Sequence, residues 1–298
     1  MIRKATAVAV CCAVATVGLT GCDDISGTGS SPSGSPSPQK PVDAFTGTKK
    51  IEVEGRSVNV SCAGGPAAGK PVIVLLPGLG DGLGKMAALQ KTLSQKNRVC
   101  VYDRLGEGAS DRPEGPQTFA DTGKILTGVL DRVAGDGRVV LAGHSLGGMI
   151  AARYAPDHKD RVKGLVLMDA TSPSTVADVE NAIPASATGP AAELRKQTLA
   201  VNQGDNPERL TITDAKVRSA GNIPAQIIQH GKQYLAAFPQ YGPRLEQSWS
   251  EGQRKWLGVS SRSDLSTAKT SEHYIYLDQP DVAVKAIQRV TAQAANTE

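Results

Sequence analysis

From about residue 50 onward, short alternating stretches and continuous apolar runs divide the chain into regular pieces. Residues 50–54 and 57–62 alternate apolar and polar positions on either side of Gly55, which predicts a hairpin of half-exposed antiparallel strands. Residues 71–76, 98–102, 138–142 and 164–168 are almost wholly apolar, the pattern of strands covered on both faces. Residues 224–229 resume that pattern and 264–269 repeat it weakly. Between these lie segments with helical spacing at 85–95, 119–133, 244–257 and 282–295. Residues 173–222 differ: they are Ala-rich, mixed in charge and broken by Pro184, Pro190, Gly204 and Pro207. No run there reads as a sheet strand, so this stretch predicts short helices inserted as a cap over the carboxyl edge of the sheet. Strands alternating with helices over this length predict an α/β fold, a doubly wound and mostly parallel sheet.

The first part of the chain reads differently. Met1-Ile2-Arg3-Lys4 is basic, residues 5–17 are apolar but too short to span a bilayer, and Leu19-Thr20-Gly21-Cys22 follows. This tetrapeptide resembles a bacterial lipoprotein box, which implies cleavage before Cys22 and a lipid on that cysteine. Residues 22–42, rich in Ser, Gly and Pro, predict a flexible tether. The expected organisation is a signal peptide at 1–21, a lipid-anchored linker at 22–42 and one folded domain at 43–298. The expected location is the outer face of the bacterial cytoplasmic membrane. The formal net charge of +4 falls to +2 once Arg3 and Lys4 leave, since no acidic residue precedes Cys22. Neither value, nor any basic cluster, points to nucleic acid, and membrane association should come from lipid.

The richest chemistry lies at Gly143-His144-Ser145-Leu146-Gly147. An apolar β-branched run precedes it and a helix-prone small-residue segment follows. A strand turning straight into a helix strains its central residue and projects that side chain from the turn. Glycines on both sides let the helix pack against the strand it has just left. Ser145 is therefore expected at the carboxyl end of a parallel strand.

A Pro77-Gly78 loop, Tyr102-Asp103-Arg104-x-Gly106-x-Gly108-x-Ser110, Gly143-His144-Ser145-x-Gly147 and a late Ser271-x-His273 occur in that order. Together these resemble the α/β-hydrolase superfamily, over roughly residues 51–291 apart from the cap. The resemblance implies a mostly parallel eight-stranded sheet with helices on both faces. It also implies a triad in the chain order nucleophile, acid, base.

Ser145 is the implied nucleophile, and His273 the implied base, on the loop after the last strand. Most relatives have Gly before that His; Glu272 stands here, which alters the loop or puts a carboxylate near the imidazole. Of the other histidines, His144 lies inside the elbow and should point away from the site. His158 sits in a polar helix end, and His230, just after a strand, is the rival base. Where many relatives carry their acid, residues 229–238 hold no carboxylate. Asp169 ends the sixth strand, where some branches place it, and is the implied acid; Glu246 is the alternative. Asp169 could instead cap the turn at 171–173. The family's oxyanion donors map onto the Leu79 and Leu146 amides. Asp103, Arg104 and the nearby glycines read as loop architecture, since their spacing is not that of a dinucleotide loop. In this fold the second and fourth strands are neighbours, which implies a Cys62–Cys100 disulfide.

The expectation is a membrane-anchored serine hydrolase acting on a small-molecule ester through an acyl-enzyme, with no cofactor and no metal. An amidase or peptidase on the same triad, and a silent binding protein on the same fold, are the alternatives. Substrate and oligomeric state are not legible.

Overall fold

The computed structural model describes residues 45–65 and 69–296. The expected signal peptide, Cys22 and the expected linker to residue 42 lie outside them. In chain order the elements are β1 Gly47–Val53, β2 Arg56–Ala63, β3 Val72–Leu76, α1 Ala87–Leu93, β4 Val99–Tyr102, α2 Phe119–Ala134, β5 Val139–His144, α3 Leu146–Tyr154 and β6 Val162–Met168. Then come α4 Thr175–Ala182, α5 Gly189–Asn202, β7 Pro224–His230, α6 Gly242–Lys255, β8 Arg262–Ala268, α7 Ile275–Asp278 and α8 Pro280–Ala295.

The eight strands form one sheet in the order β1-β2-β4-β3-β5-β6-β7-β8. The β1–β2 and β2–β4 pairs are antiparallel and the rest parallel. Alternation along the central strands divides the core in two. Val74, Leu76, Leu141, Leu165 and Leu167 face one way, packing with Leu126, Val129 and Leu130 of α2 and Met149 of α3. Ile73, Leu75, Val140, Ala142 and Val166 face the other way, against Leu89 and Leu93 of α1 and Ile287 and Val290 of α8. Strands covered on both sides have no polar face, which is why these runs read as continuous apolar sequence. The edge strand β8 instead exposes Arg262, Asp264, Ser266 and Thr267, and its sequence signal is correspondingly weak.

Local chemistry sets the element ends. The Thr118 side chain accepts from the Asp121 amide while the Asp121 carboxylate accepts from the Thr118 amide, a reciprocal cap that starts α2. Gly135, at φ 58°, ends that helix. Cys62 and Cys100 face each other across β2 and β4, with Cα atoms 4.1 Å apart and the sulfurs bonded. This bridge closes a 38-residue separation and constrains the unfolded chain by about 4 kcal/mol.

Between β6 and β7, helices α4 and α5 occupy the stretch expected to form a cap. Ala182, Ile183 and Ala191 make a small core there with Leu194 of α5, with Phe238 and Tyr241 just before α6, and with Leu245 in its first turn. The segment after α5 then returns across the sheet end, where residue 210 bridges Gln117.

Candidate active site

The elbow has the geometry that its glycines require. Ser145 has φ 50° and ψ −120°, a left-handed conformation, between the end of β5 and the start of α3. A Cβ on Gly143 would come within 2.4 Å of the Gly147 carbonyl, and one on Gly147 within 2.2 Å of the Leu76 oxygen. From Val139 to Ala152, Ser145 alone is not buried. Its Oγ lies 3.4 Å from the Thr171 hydroxyl, and its carbonyl accepts the Thr171 amide at 3.1 Å.

Asp169 is the next residue after β6 and is itself left-handed, at φ 47°. Aspartate tolerates this region better than most side chains. Its amide donates to the Ile228 carbonyl of neighbouring β7 at 2.7 Å, which holds the carboxylate, fully buried, at the sheet edge. Oδ2 accepts from His273 Nδ1 at 2.7 Å. Oδ1 accepts from Trp249 Nε1 at 2.9 Å and from the His230 amide at 3.1 Å. His230 Nδ1 completes the set, 2.8 Å from Oδ2 and 2.9 Å from Oδ1. Burial by itself would raise the Asp169 pKa, but the hydrogen bonds and positive potential of His230 and His273 hold it at about 2. It is a carboxylate at any ordinary pH. None of its oxygens is engaged by the turn at 171–173; Ser172 and Ser174 there bond Asp178.

His273 rides on a loop fastened at several points. The Glu272 amide donates to Asp278 Oδ2 at 2.9 Å, and the buried Ser271 accepts the Gly231 and Lys232 amides on its carbonyl. Because Nδ1 is bound to Asp169, Nε2 is the nitrogen left to act on a hydroxyl. The Glu272 side chain turns to solvent and lies 3.8 Å from Lys232 Nζ, so it adds no carboxylate against the imidazole.

His144 does more than point away. Its ring is buried beneath that of His273, centroids 4.5 Å apart, and its Nε2 donates to the His273 carbonyl at 3.0 Å. A carbonyl only accepts, so Nε2 carries the proton. Burial and the neighbouring His273 push the His144 pKa down to about 3, which keeps the ring neutral.

The loop after β3 is held by Arg104. Its guanidinium donates to the Pro77 carbonyl at 2.6 Å and the Gly78 carbonyl at 2.9 Å, and forms a two-point bond with Glu208 at 2.8 and 2.6 Å. Both side chains are 3% exposed. Asp103 accepts the Leu83 and Ala109 amides and the Asn59 side chain. Both residues are loop architecture. The Leu79 and Leu146 amides, at the loop and at the first turn of α3, are not engaged by any of the described residues.

The structure thus brings Asp169 and His273 into direct contact at the edge that carries Ser145. It places Glu246 against His230 Nε2, at 2.6 Å, and not against His273. Sequence reading missed Trp249, Thr171 and the Glu208 anchor. None has a local signature, since each reaches the site from a distant element. His230 alone was visible, as a histidine directly after a strand.

Comparison with known proteins agrees with this architecture. The chain is 32% identical over 102 residues to a protein from Azorhizobium caulinodans named RutD, to which carbamate hydrolysis is ascribed, covering 34% of this chain and 38% of that one. It is 33% identical over 100 residues to the human (lyso)-N-acylphosphatidylethanolamine lipase, covering 33% and 29%. These matches span less than half the length of the curated relatives. Among solved structures, the enol-lactonase of Burkholderia xenovorans LB400 superimposes with a TM-score of 0.56 at 21% identity, over 82% of this chain and all of that one. A bacterial membrane phospholipase A does so with a TM-score of 0.59 at 16% identity, over 85% and 88%. Residues 71–257 match the model of the alpha/beta hydrolase fold family, and the chain belongs to that family.

Proposed function

We propose that this protein is a serine hydrolase that cleaves a carboxylic ester through Ser145, His273 and Asp169. The observation that carries the reading is the 2.7 Å contact between Asp169 Oδ2 and His273 Nδ1, at the sheet edge where Ser145 stands strained and accessible. In the proposed reaction His273 Nε2 takes the Ser145 proton as Oγ attacks the carbonyl carbon. Asp169 keeps Nδ1 protonated and stabilises the imidazolium that forms. The Leu79 and Leu146 amides receive the developing oxyanion. His273 then protonates the departing alcohol, and water, activated by the same nitrogen, releases the acid from the acyl-enzyme.

A second reading, cleavage of a C–N bond on the same residues, draws support from the similarity to the RutD protein, because a carbamate presents both bond types.

Fluorophosphonate labelling of the purified domain tests the triad. Wild type should label, and Ser145→Ala, Asp169→Asn and His273→Ala should not. Labelling that persists in Asp169→Asn would remove Asp169 from the triad, and an unlabelled wild type would leave a binding protein. Paired p-nitrophenyl ester and anilide substrates separate the two bond classes.

We further propose that Cys22 carries a lipid that holds the enzyme on the outer face of the membrane, an inference from residues 1–42 of the sequence. Full-length protein should enter the detergent phase on Triton X-114 partition and Cys22→Ala should stay aqueous; equal partition would overturn the anchor.

A further inference from the structure

Asp169 serves two histidines. Only His273 has a place in the reaction above, yet His230 makes more contacts with the same carboxylate, through its amide and its Nδ1. The cause is topological: β6 and β7 run parallel with Met168 opposite Ile228, so the residues ending the two strands emerge side by side. From α6, Glu246 then approaches the far side of the His230 ring, with Oε1 2.6 Å from Nε2. The result is a row, Glu246–His230–Asp169–His273, whose first three members are buried while the His273 side chain is 22% exposed. Residue exposures are 9% for Glu246, 5% for His230 and 0% for Asp169.

Both ring nitrogens of His230 face carboxylate oxygens. Ionised carboxylates only accept, so each nitrogen must supply a proton. The arrangement satisfies itself when His230 is a cation between two anions. Burial works against a charged ring, but Asp169 and Glu246 outweigh it and hold the His230 pKa above the ordinary histidine value.

We propose that His230 is a positioning residue for the hydrolase reaction, a buried imidazolium that fixes the Asp169 carboxylate toward His273 and couples Glu246, which does not touch His273, to the proton transfer. This rests on the triad reading given above. The row carries one net negative charge while His273 is neutral, and that is the charge His273 balances when it takes the Ser145 proton. Without His230 the site would hold Asp169 and Glu246 as two unshielded anions, and a neutral His230 would leave one nitrogen facing an acceptor without a proton.

Other groups near His230 are Tyr234, from the loop after β7, with its ring centroid 4.9 Å away, and Trp249 of α6. Burial drives the Tyr234 phenol above its ordinary range, so it stays neutral. At the rim, Lys232 and Glu272 pair with each other. Arg254 and His230 both line a polar cleft of about 540 Å³ on the α6 side. Among the described residues, Asp169 and Glu246 are the ionisable groups hydrogen-bonded to the His230 ring.

Three variants test the charge logic. His230→Asn keeps a donor toward Asp169 but removes the cation. It should lower kcat about tenfold with KM changed less than twofold, and move the acidic limb of kcat/KM upward by about half to one pH unit. His230→Asn combined with Glu246→Gln restores the net charge of the row and should return that limb toward wild type. A residue that merely filled space would not show this reversal. Nitrogen-15 NMR of histidine-labelled Ser145→Ala protein supplies a readout independent of turnover. With four histidines in the chain, single substitutions of the other three assign the ring signals. His230 should show two protonated ring nitrogens at neutral pH. One protonated nitrogen, or an acidic limb unmoved in His230→Asn, would overturn the proposal. A wild type that fails to label with fluorophosphonate would remove the reaction and this role together, while the NMR result would still show whether the cation exists.

Discussion

His144 Nε2 donates to the main-chain carbonyl of His273 at 3.0 Å, so the residue just before Ser145 holds the loop that carries His273. Neighbours in the elbow therefore differ: Ser145 is partly exposed, and the buried His144 fastens the His273 loop from below. His144→Phe keeps the ring stacking but removes the donor, and should reduce kcat/KM roughly tenfold. His144→Gln, which can donate from a similar position, should recover most of that loss. Because His144 stays neutral down to about pH 3, the pH–rate profile of the Gln variant should match wild type. Equal losses in the two variants would show that the hydrogen bond is not what matters.

Arg104 joins the loop bearing Leu79 to Glu208 beyond the cap helices, with both side chains buried. Removing one member of such a pair strands the other charge. Arg104→Met should therefore lower the unfolding free energy by roughly 3–5 kcal/mol. Arg104→Met with Glu208→Gln should be less destabilised than the single variant. Fluorophosphonate labelling should slow in both, because the Pro77 and Gly78 carbonyls lose their anchor. Urea unfolding and labelling rates on the same samples check the two effects separately; additive stability losses would argue against a coupled pair.

Gly147 and Gly84 make a controlled comparison. A Cβ at Gly147 meets the Leu76 and Pro77 carbonyl oxygens at 2.2 and 2.4 Å, backbone that cannot swing aside, whereas at Gly84 nothing lies within 4 Å. Gly147→Ala should cost roughly 2–4 kcal/mol and abolish labelling. Gly84→Ala should stay within about 0.5 kcal/mol of wild type. A tolerated Ala at position 147 would contradict the close approach of α3 to the sheet.

The charged row also predicts how stability follows pH. The His230 pKa is raised on folding, so its contribution is complete below the ordinary histidine value of about 6.5 and is lost as pH rises through the raised value. Asp169 is depressed to about 2, so its contribution is present above the ordinary aspartate range and lost as pH falls through that value. Urea unfolding between pH 6 and 9 should show a decline that approaches at most about 1.4 kcal/mol per pH unit for this proton. The decline should be shallower in His230→Asn. Parallel slopes for the two proteins would place the titrating group elsewhere.

The sequence by itself determined the α/β alternation and the strand–elbow–helix around Ser145. Each is a local pattern: apolar periodicity follows from burial on one face or two, and the elbow glycines follow from a turn too tight for any Cβ. It also carried the Cys62–Cys100 pairing once strand adjacency was supplied by the family resemblance. Only the tertiary structure decided which groups Asp169 would serve. Residues 169, 230, 246 and 273 come from four separate elements, and hydrophobic periodicity says nothing about which side chains converge where strands end. Glu246 looked in sequence like an alternative to Asp169. In the fold it is the counter-charge of a second histidine, because α6 brings it to the far side of His230 and β6 and β7 emerge side by side. His144 looked idle for the same reason: its partner is a main-chain carbonyl 129 residues away, and a backbone acceptor leaves no mark in sequence.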